Sequence, residues 1–440
     1  MNIPVLVLQS AYDGGTSVLE SVDLKSTDDR GMFRLGILAP GEYYVAAIPL
    51  PAGARGASAP TGITTGEAPV TTLYPGAIDV SKAVPIVLHG GEDLSGMNIQ
   101  LKTAAGSKIS GRVANTLPPG PAPGGRAGSR PLIATLALAP RAKTEVPDAT
   151  GRFGSVSANE DGTFEILNVP PGSYDLFARL PVANGWGALA PPERATAPWA
   201  FGRTSIDVRG GNVDGVTILV HQGMDVKGRV TADGRPPAAN IRISLLPDDS
   251  ATRVIENQIS QVFGQIAQYP TRIEPDGSFA IPVVPEGHYG FQITFSGPAS
   301  TNSYVAGIRQ GNVNVYDDGL TVGGEPLNPI EVTVNTNGGS IEGTVLGTDR
   351  KPVARTSVVL VPTPARRRNL TLYKTVQSDA QGHFAMTGTA PGEWKVFAWE
   401  SVPAGAYQNA EFMRRFEERG IGIAVAAGLR TSVDVTWIRN

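Results

Sequence analysis

Apolar and polar residues alternate with a period of two along much of the chain. Phe164 and Ile166 flank Glu165, and Trp394 and Val396 flank Lys395. This alternation is typical of a strand with one buried and one exposed face. The alternating segments are short and are separated by turns that contain glycine and proline. The pattern therefore predicts an all-β chain of sandwich modules, each with about seven short strands.

An internal repeat organises these strands. An acidic or amide turn residue precedes a glycine, and a phenylalanine follows two residues after that glycine. A second glycine lies ten residues after the first, and an aromatic residue follows two residues later. Asp or Asn followed by Gly is turn chemistry, so each copy predicts a strand, a turn and a strand. The spacing is the same in four copies. The signature residues are Gly31, Phe33 and Tyr43; Gly162, Phe164 and Tyr174; Gly277, Phe279 and Tyr289; and Gly382, Phe384 and Trp394.

Two further strands flank each signature. A closing strand follows it, as in Met97, Ile99 and Leu101 of the first copy, and in the other copies an opening strand precedes it. The opening strands contain Gly111, Gly228 and Gly343. We expect four modules joined by linkers of a few residues, which predicts a semi-rigid row. Modules 1 to 4 comprise residues 1–103, 104–222, 223–337 and 338–440.

Module 1 is predicted to lack its opening strand. In modules 2, 3 and 4 the opening glycine precedes the signature glycine by 51, 49 and 39 residues (111 to 162, 228 to 277, 343 to 382). Applied to Gly31, even the shortest spacing falls before Met1, and Ile3–Leu8 matches the second strand of the other modules. One explanation is an upstream start, with a signal peptide and opening strand missing from this chain. The other is that a neighbouring subunit supplies the strand by β-augmentation, joining subunits end to end.

Insertions interrupt the repeats. Residues 51–72 and 115–131 are rich in glycine, proline, alanine and threonine, which predicts exposed loops. From Ser250 to Gln268 apolar residues recur at helical spacing, and Ala410 to Arg419 precedes a glycine. Both segments are therefore predicted to be short helices.

The repeat resembles the carboxypeptidase regulatory-like domain, a transthyretin-like sandwich. The resemblance rests on an opening G-x-V, then D-x-x-G-x-F, then P-G-x-Y, as in Asp28 to Phe33 and Pro40 to Tyr43. The chain is also similar to large secreted multi-repeat proteins of the acidobacterial type. This resemblance implies a non-catalytic module and an extracellular or cell-surface location. The peptidase domain that accompanies such modules is absent from the sequence, so no catalytic residue is implied.

Composition narrows the function classes. There are 37 Lys and Arg against 40 Asp and Glu, a net charge of −3, which gives no field to attract nucleic acid. The chain has no cysteine, which excludes disulfides, thiolate metal sites and a cysteine nucleophile. No apolar run approaches the length that spans a bilayer, so no membrane insertion is predicted.

Candidate chemistry is sparse. The four histidines, His89, His221, His288 and His383, fall at separate turns without zinc-ligand spacing, and no nucleophile or phosphate-loop motif occurs. No catalytic residue, metal or cofactor is therefore predicted. The acidic signature turns have two interpretations, capping of the turn or binding of Ca²⁺. An isopeptide cross-link would require a buried lysine, for which Lys227 beside an opening glycine is the candidate.

Aromatic residues outside the signature also have two interpretations. Trp186, Trp199 and Trp399, with Tyr304 and Tyr316 in predicted loops, either stack on a sugar or pack between modules. Arg366, Arg367 and Arg368 are interpreted as a solvated turn. Together these observations predict a non-catalytic extracellular structural or adhesive rod whose partners are other protein subunits, homo-oligomers through module 1 included. The alternative is a carbohydrate-binding protein that recognises a surface polysaccharide.

Overall fold

A computed structural model describes residues 3–49, 67–115, 133–141, 156–181, 199–237, 240–248, 271, 273–297, 300–324 and 327–439. These residues form thirty strands and one short α-helix, which confirms the all-β prediction. The chain folds as two compact units, Met1–Ala11 with Ser17–Gln222 and Tyr12–Thr16 with Gly223–Asn440. Among the described residues, no helix has the length and apolarity needed to cross a membrane.

Module 1 contributes seven short strands. They are β1 (Pro4–Asp13), β2 (Thr16–Ser26), β3 (Gly41–Ala47), β4 (Glu67–Pro69), β5 (Thr72–Leu73), β6 (Ile86–Leu88) and β7 (Thr103–Ala105). One sheet runs β2-β1-β3-β5, with β6 also on β3, and β4 pairs with β7 alone. Its core includes Leu6, Leu8, Ala46 and Leu73. Because β4 and β5 lie within residues 51–72, the prediction of a loop there is wrong for residues 67–69 and 72.

Module 2 folds as one continuous sheet of seven strands. Its strands are β8 (Ser107–Asn115), β9 (Thr135–Pro140), β10 (Val156–Ser157), β11 (Thr163–Val169), β12 (Gly172–Pro181), β13 (Trp199–Val208) and β14 (Val213–Gln222), in the order β10-β9-β12-β13-β14-β8-β11. The inward stripe of β12, Tyr174, Leu176 and Ala178, is buried as its alternation predicts. Of the loop predicted at 115–131, Asn115 is the last residue of β8, so the prediction is wrong there, and residues 116–131 lie outside the described residues.

Module 3 has two sheets. Its strands are β15 (Met224–Ala232), β16 (Asn240–Pro247), β17 (Ser278–Val284), β18 (Gly287–Ser296), β19 (Tyr304–Gln310), β20 (Val313–Asn314), β21 (Leu320–Val322) and β22 (Ile330–Asn335). The sheets run β17-β15-β22-β19-β20 and β16-β18-β21. The helix predicted from Ser250 to Gln268 lies outside the described residues.

Module 4 adds a short helix to the same plan. Its strands are β23 (Gly339–Leu346), β24 (Ser357–Pro362), β25 (Lys374–Gln377), β26 (His383–Thr389), β27 (Gly392–Trp399), β28 (Ile421–Val425), β29 (Arg430–Ser432) and β30 (Val435–Ile438). They form a sheet ordered β25-β24-β27-β30-β23-β26, with β28 on β27 and β29 on β23. Helix α1 (Ala410–Arg414) and a 3₁₀ turn (Glu417–Arg419) confirm a helical segment between Ala410 and Arg419.

In modules 2 to 4 the opening strand is central to its half of the sandwich. It pairs antiparallel with the signature strand on one side, as β8 pairs with β11, β15 with β17, and β23 with β26. On the other side it pairs in parallel with the closing strand, as β8 with β14, β15 with β22, and β23 with β29 and β30. Among the described residues the signature strand pairs with the opening strand alone, whereas the closing strand also pairs with a further strand: β14 with β13, β22 with β19, and β30 with β27.

Candidate functional site

The acidic signature residues hold the turns together. Asp28 Oδ1 accepts hydrogen bonds from the backbone N–H groups of Arg30 and Met32 at 2.9 and 2.8 Å. In the fourth module, Asp379 Oδ1 accepts the backbone N–H groups of Gln381 and His383 in the same way. Asp161 and Asp276 each accept a backbone N–H and a hydroxyl two residues on. These hydrogen bonds, the hydroxyl first, hold the pKa of both carboxyls below the usual range. The geometry is that of turn capping, and no group of three His, Asp or Glu among the described residues could hold a metal ion.

The signature aromatics make one repeated hydrogen bond. In each module the polar atom of the ring donates to the carbonyl oxygen four residues earlier, across the turn that begins the strand. The donors are Tyr43, Tyr174, Tyr289 and Trp394, and the distances are 2.7, 3.0, 2.9 and 3.0 Å. Burying an aromatic ring with a satisfied polar atom explains why tyrosine or tryptophan, rather than phenylalanine, occupies this position.

The opening glycines are required by close packing. A Cβ on Gly111, Gly228 or Gly343 would overlap a backbone carbonyl oxygen of the closing segment, at Val216, Ile330 and Val433 respectively. On the antiparallel side, each glycine is the register partner of the signature phenylalanine. The ring lies against the glycine, since the Phe279 ring would contact a Cβ on Gly228.

The four signature phenylalanines are not equivalent. Phe164, Phe279 and Phe384 are 2%, 4% and 4% exposed and lie in β11, β17 and β26. Phe33 is half-buried and belongs to no strand, so the identical spacing of the four signatures does not give four equivalent buried positions. The closing strand predicted at Met97, Ile99 and Leu101 does not form, since residues 92–102 contain no strand. Both segments correspond to strands that pair with the opening strand in modules 2 to 4.

These two segments, 33–38 and 93–99, are the candidate functional site. Neither makes a hydrogen bond to any described residue, and both end beside segments that do. Their side chains nevertheless alternate as in a strand, with Phe33, Leu35, Met97 and Ile99 half-buried and their neighbours exposed. Backbone groups without a protein partner must be solvated or must pair with another chain.

Segment 33–38 shares one backbone feature with two of the signature strands. Ile37 has φ of 63°, and in modules 3 and 4 the residues six beyond the signature glycine, Val283 and Gly388, have φ of 56° and 60°. In β17 and β26 this residue lies at a β-bulge opposite the opening strand. A fully exposed isoleucine in the left-handed region is unfavourable.

Apolar exposure is concentrated in module 1. Of the fourteen large hydrophobic residues exposed among those described, eight lie there: Val22, Leu24, Met32, Ile37, Ile78, Val84, Val87 and Leu94. Leu94 lies in segment 93–99, Ile37 in segment 33–38, and Met32 directly precedes it.

The predicted sugar-stacking residues do not form a site. Trp399 is fully buried in a second core of module 4, stacked on Phe397 with ring centroids 5.1 Å apart and covered by Met413 of α1. Its stacking role is therefore wrong. Tyr304 begins β19, so its predicted loop position is wrong, whereas Tyr316 does lie in the turn between β20 and β21. Both are only 9% exposed, so neither presents the open ring face that sugar stacking requires. Trp199 begins β13, Trp186 lies outside the described residues, and a role for these two stays a prediction.

The other candidate residues have structural surroundings. Lys227 is a surface residue 3.9 Å from Asp225, so the buried lysine that an isopeptide bond requires is not found at this position. His288 Nδ1 lies 2.6 Å from Asp248 Oδ2, and His383 begins β26. His89 and His221 lie near the ends of β6 and β14.

Two charged networks were not predicted. Asp175, buried on the face of β12 opposite the core, lies 2.6 Å from Arg203 and 3.6 Å from Arg141 and accepts the Ser205 hydroxyl. In module 4 Arg367 makes two hydrogen bonds to Glu417, at 2.9 and 3.0 Å. The interpretation of a solvated turn is thus wrong for Arg366 and Arg367, whereas Arg368 is exposed. Arg366 also pairs with Asp317 at 3.0 Å. No sequence signal joined these pairs, whose members are far apart in the chain.

The ion pair between Glu417 and Arg367 predicts that the folded state loses stability in acid. Hydrogen bonds from Arg367, and secondarily from Lys395, lower the pKa of Glu417 to about 2. Since this carboxyl is charged more readily in the folded state, its contribution to stability is complete above its unfolded pKa of 4.5 and is lost as the pH falls toward 2. In urea titrations we expect the urea concentration at the unfolding midpoint to fall less between pH 4.5 and 2 in E417Q than in the wild type. E418Q, which alters an exposed neighbour, should keep the wild-type decline, and an identical decline in E417Q would contradict the assignment.

Comparisons with known proteins give only distant similarities. No protein-family model matches the chain, and no curated protein matches it. Among solved structures, the Bacillus anthracis TIE protein is 10% identical, with a TM-score of 0.17 over 99% of this chain and 68% of that one. A Streptococcal ancillary pilin is 10% identical, with a TM-score of 0.21 over 75% and 98%. The full-length major pilin RrgB of Streptococcus pneumoniae is 9% identical, with a TM-score of 0.16 over 99% and 93%. At these TM-scores the similarities carry no argument about function, and the carboxypeptidase regulatory-like assignment stays a prediction.

Proposed function

We propose that the chain is a non-catalytic structural or adhesive protein, extracellular or displayed on a cell surface. The observation that carries this proposal is the repeated structural use of the signature residues. In all four modules the acidic residue caps the turn and the aromatic residue anchors the following strand. The repeated features of the chain therefore build β-modules in series, which is the design of a spacer or scaffold.

We further propose that module 1 joins the chain to other protein subunits. Segments 33–38 and 93–99, which make no hydrogen bond to the described residues, and the exposed apolar residues of module 1 support this role. Association through a sheet edge needs no enzyme-like pocket, since main-chain hydrogen bonds supply much of the affinity. The subunit partner is thus a protein rather than a nucleic acid or a polysaccharide.

The test is the location and form of the native protein. Antibody labelling of intact source cells and fractionation of the medium should place it outside the cell, and gel filtration of gently extracted material should show it in assemblies larger than the single chain. A strictly intracellular protein would contradict the proposal. So would turnover of peptide or glycoside substrates by the purified chain that is lost on changing one acidic residue.

A further inference from the structure

We propose that modules 3 and 4 unfold together as one cooperative unit, which makes the pair a stiff double module without a hinge. The segment that joins them, between β22 and β23, is only residues 336–338. A single hydrophobic core cluster contains buried residues of both modules, including Tyr316 and Val334 of module 3 and Ile341 of module 4. Among the described residues, modules 1 and 2 each have a core cluster of their own. A shared core couples two modules, because each loses buried apolar surface when the other unfolds.

The joining segment is fixed by hydrogen bonds to both modules. Thr336 donates its backbone N–H and its hydroxyl to the carboxylate of Asp233 in module 3. The carbonyl oxygen of Asn337 accepts a backbone N–H of module 4 at 2.6 Å, and Gly338 donates its N–H to the carbonyl oxygen of Asn302 at 2.8 Å. A hinge requires residues whose φ and ψ can change. All three residues of this segment are instead held in place.

The backbones of the two modules also pack directly on one another. A Cβ on Gly388 of module 4 would lie 2.9 Å from the carbonyl oxygens of both Thr301 and Ser303 of module 3. A Cβ on Gly338 would lie 2.7 Å from the carbonyl oxygen of Asn302. Gly388 has φ of 60° at the bulge of β26, a conformation that glycine adopts without strain. Contacts this close leave the modules little freedom to slide or tilt, because backbone cannot give way as a side chain can.

A second attachment joins the turn between β20 and β21 of module 3 to module 4. Asn369 donates its side-chain N–H to the carbonyl oxygen of Tyr316 at 2.8 Å, and Arg366 lies 3.0 Å from Asp317. Asn369 is 7% exposed and Tyr316 is 9% exposed, so this hydrogen bond is shielded from water. Separating the modules would leave these buried polar groups unpaired, which is costly. Together with the contacts of Gly388, this attachment restrains rotation of one module about the other.

Native-state hydrogen exchange of the full chain tests the coupling by truncating the core of one module and measuring the other. Phe279 lies in β17 and is 4% exposed, so F279A removes a buried ring from module 3. We expect the slowest-exchanging amides of β23 and β27 in module 4 to lose protection by the same factor as those of β15 and β18 in module 3, about a hundredfold or more. The reciprocal variant, F384A in module 4, should lower the protection of β15 and β18 equally.

The matched control is F164A, which makes the same change in module 2, whose core cluster is separate. It should leave the protection of modules 3 and 4 unchanged. If F279A unfolds module 3 outright, module 4 should lose its protection as well. V230A, a smaller truncation at a fully buried position of β15, should then lower both modules by a common, smaller factor. Full protection of module 4 beside a destabilised or unfolded module 3 would overturn the proposal, as would an F164A effect on module 4 as large as that of F279A. Neither result bears on the extracellular location, which is tested separately.

Discussion

Replacing Phe384 with alanine is expected to lower the free energy of unfolding of module 4 by about 3–5 kcal/mol. The ring is 4% exposed, packs in the core shared by β23 and β26, and covers Gly343 of the opening strand. Truncation removes this apolar contact and leaves a cavity between two paired strands. Three of the five tryptophans, Trp394, Trp399 and Trp437, lie in module 4, so denaturant unfolding of the full chain followed by tryptophan fluorescence reports the loss.

The matched variant is F33A, which makes the same change at the corresponding residue of module 1. Phe33 is half-buried and belongs to no strand, so we expect a much smaller loss in the opening free energy of β3, measured by hydrogen exchange. If F33A destabilised module 1 as much as F384A destabilises module 4, the difference described between the two modules would be wrong.

The second large effect is expected for G343A. A single added methyl group would overlap the carbonyl oxygen of Val433, so the closing segment must move and its parallel pairing with β23 must break. Overpacking against rigid backbone costs about 3 kcal/mol or more in the free energy of unfolding. Tryptophan fluorescence during urea unfolding of the full chain measures this loss.

The control is G422A in β28 of the same module. A Cβ on Gly422 meets no atom within 4 Å, and its backbone is not left-handed. Alanine there should leave stability unchanged or raise it slightly, because it restricts the unfolded chain. Equal destabilisation by both substitutions would show that the loss reflects glycine replacement in strands generally rather than close packing of the opening strand.

Local patterns predicted the strands and turns, because alternation and turn chemistry are properties of neighbouring residues. These patterns did not indicate that Phe33 and Met97 would lie outside any strand, since each pattern alternates correctly on its own. A strand forms only with a hydrogen-bonded partner, and that partner is distant in sequence.

The surroundings of Trp399 and Arg367 were not predicted, for the same kind of reason. Sugar stacking was one of two interpretations of Trp399, but α1 and its flanking turns cover that second face of the sheet. The pairing of Arg367 with Glu417 likewise joins residues fifty positions apart. Such contacts depend on tertiary packing, which periodicity does not encode.

Native-state hydrogen exchange tests most directly the central claim that module 1 differs from its siblings at the opening-strand position. It compares the amides of 34–38 in module 1 with those of 385–389 in β26, which occupy the same positions relative to their signature glycines. We expect 34–38 to exchange at nearly the rate of unstructured peptide, because these residues make no hydrogen bond to the rest of the described chain, and the paired residues of 385–389 to be strongly protected. Equal protection of the two segments in the dilute, isolated chain would contradict the claim.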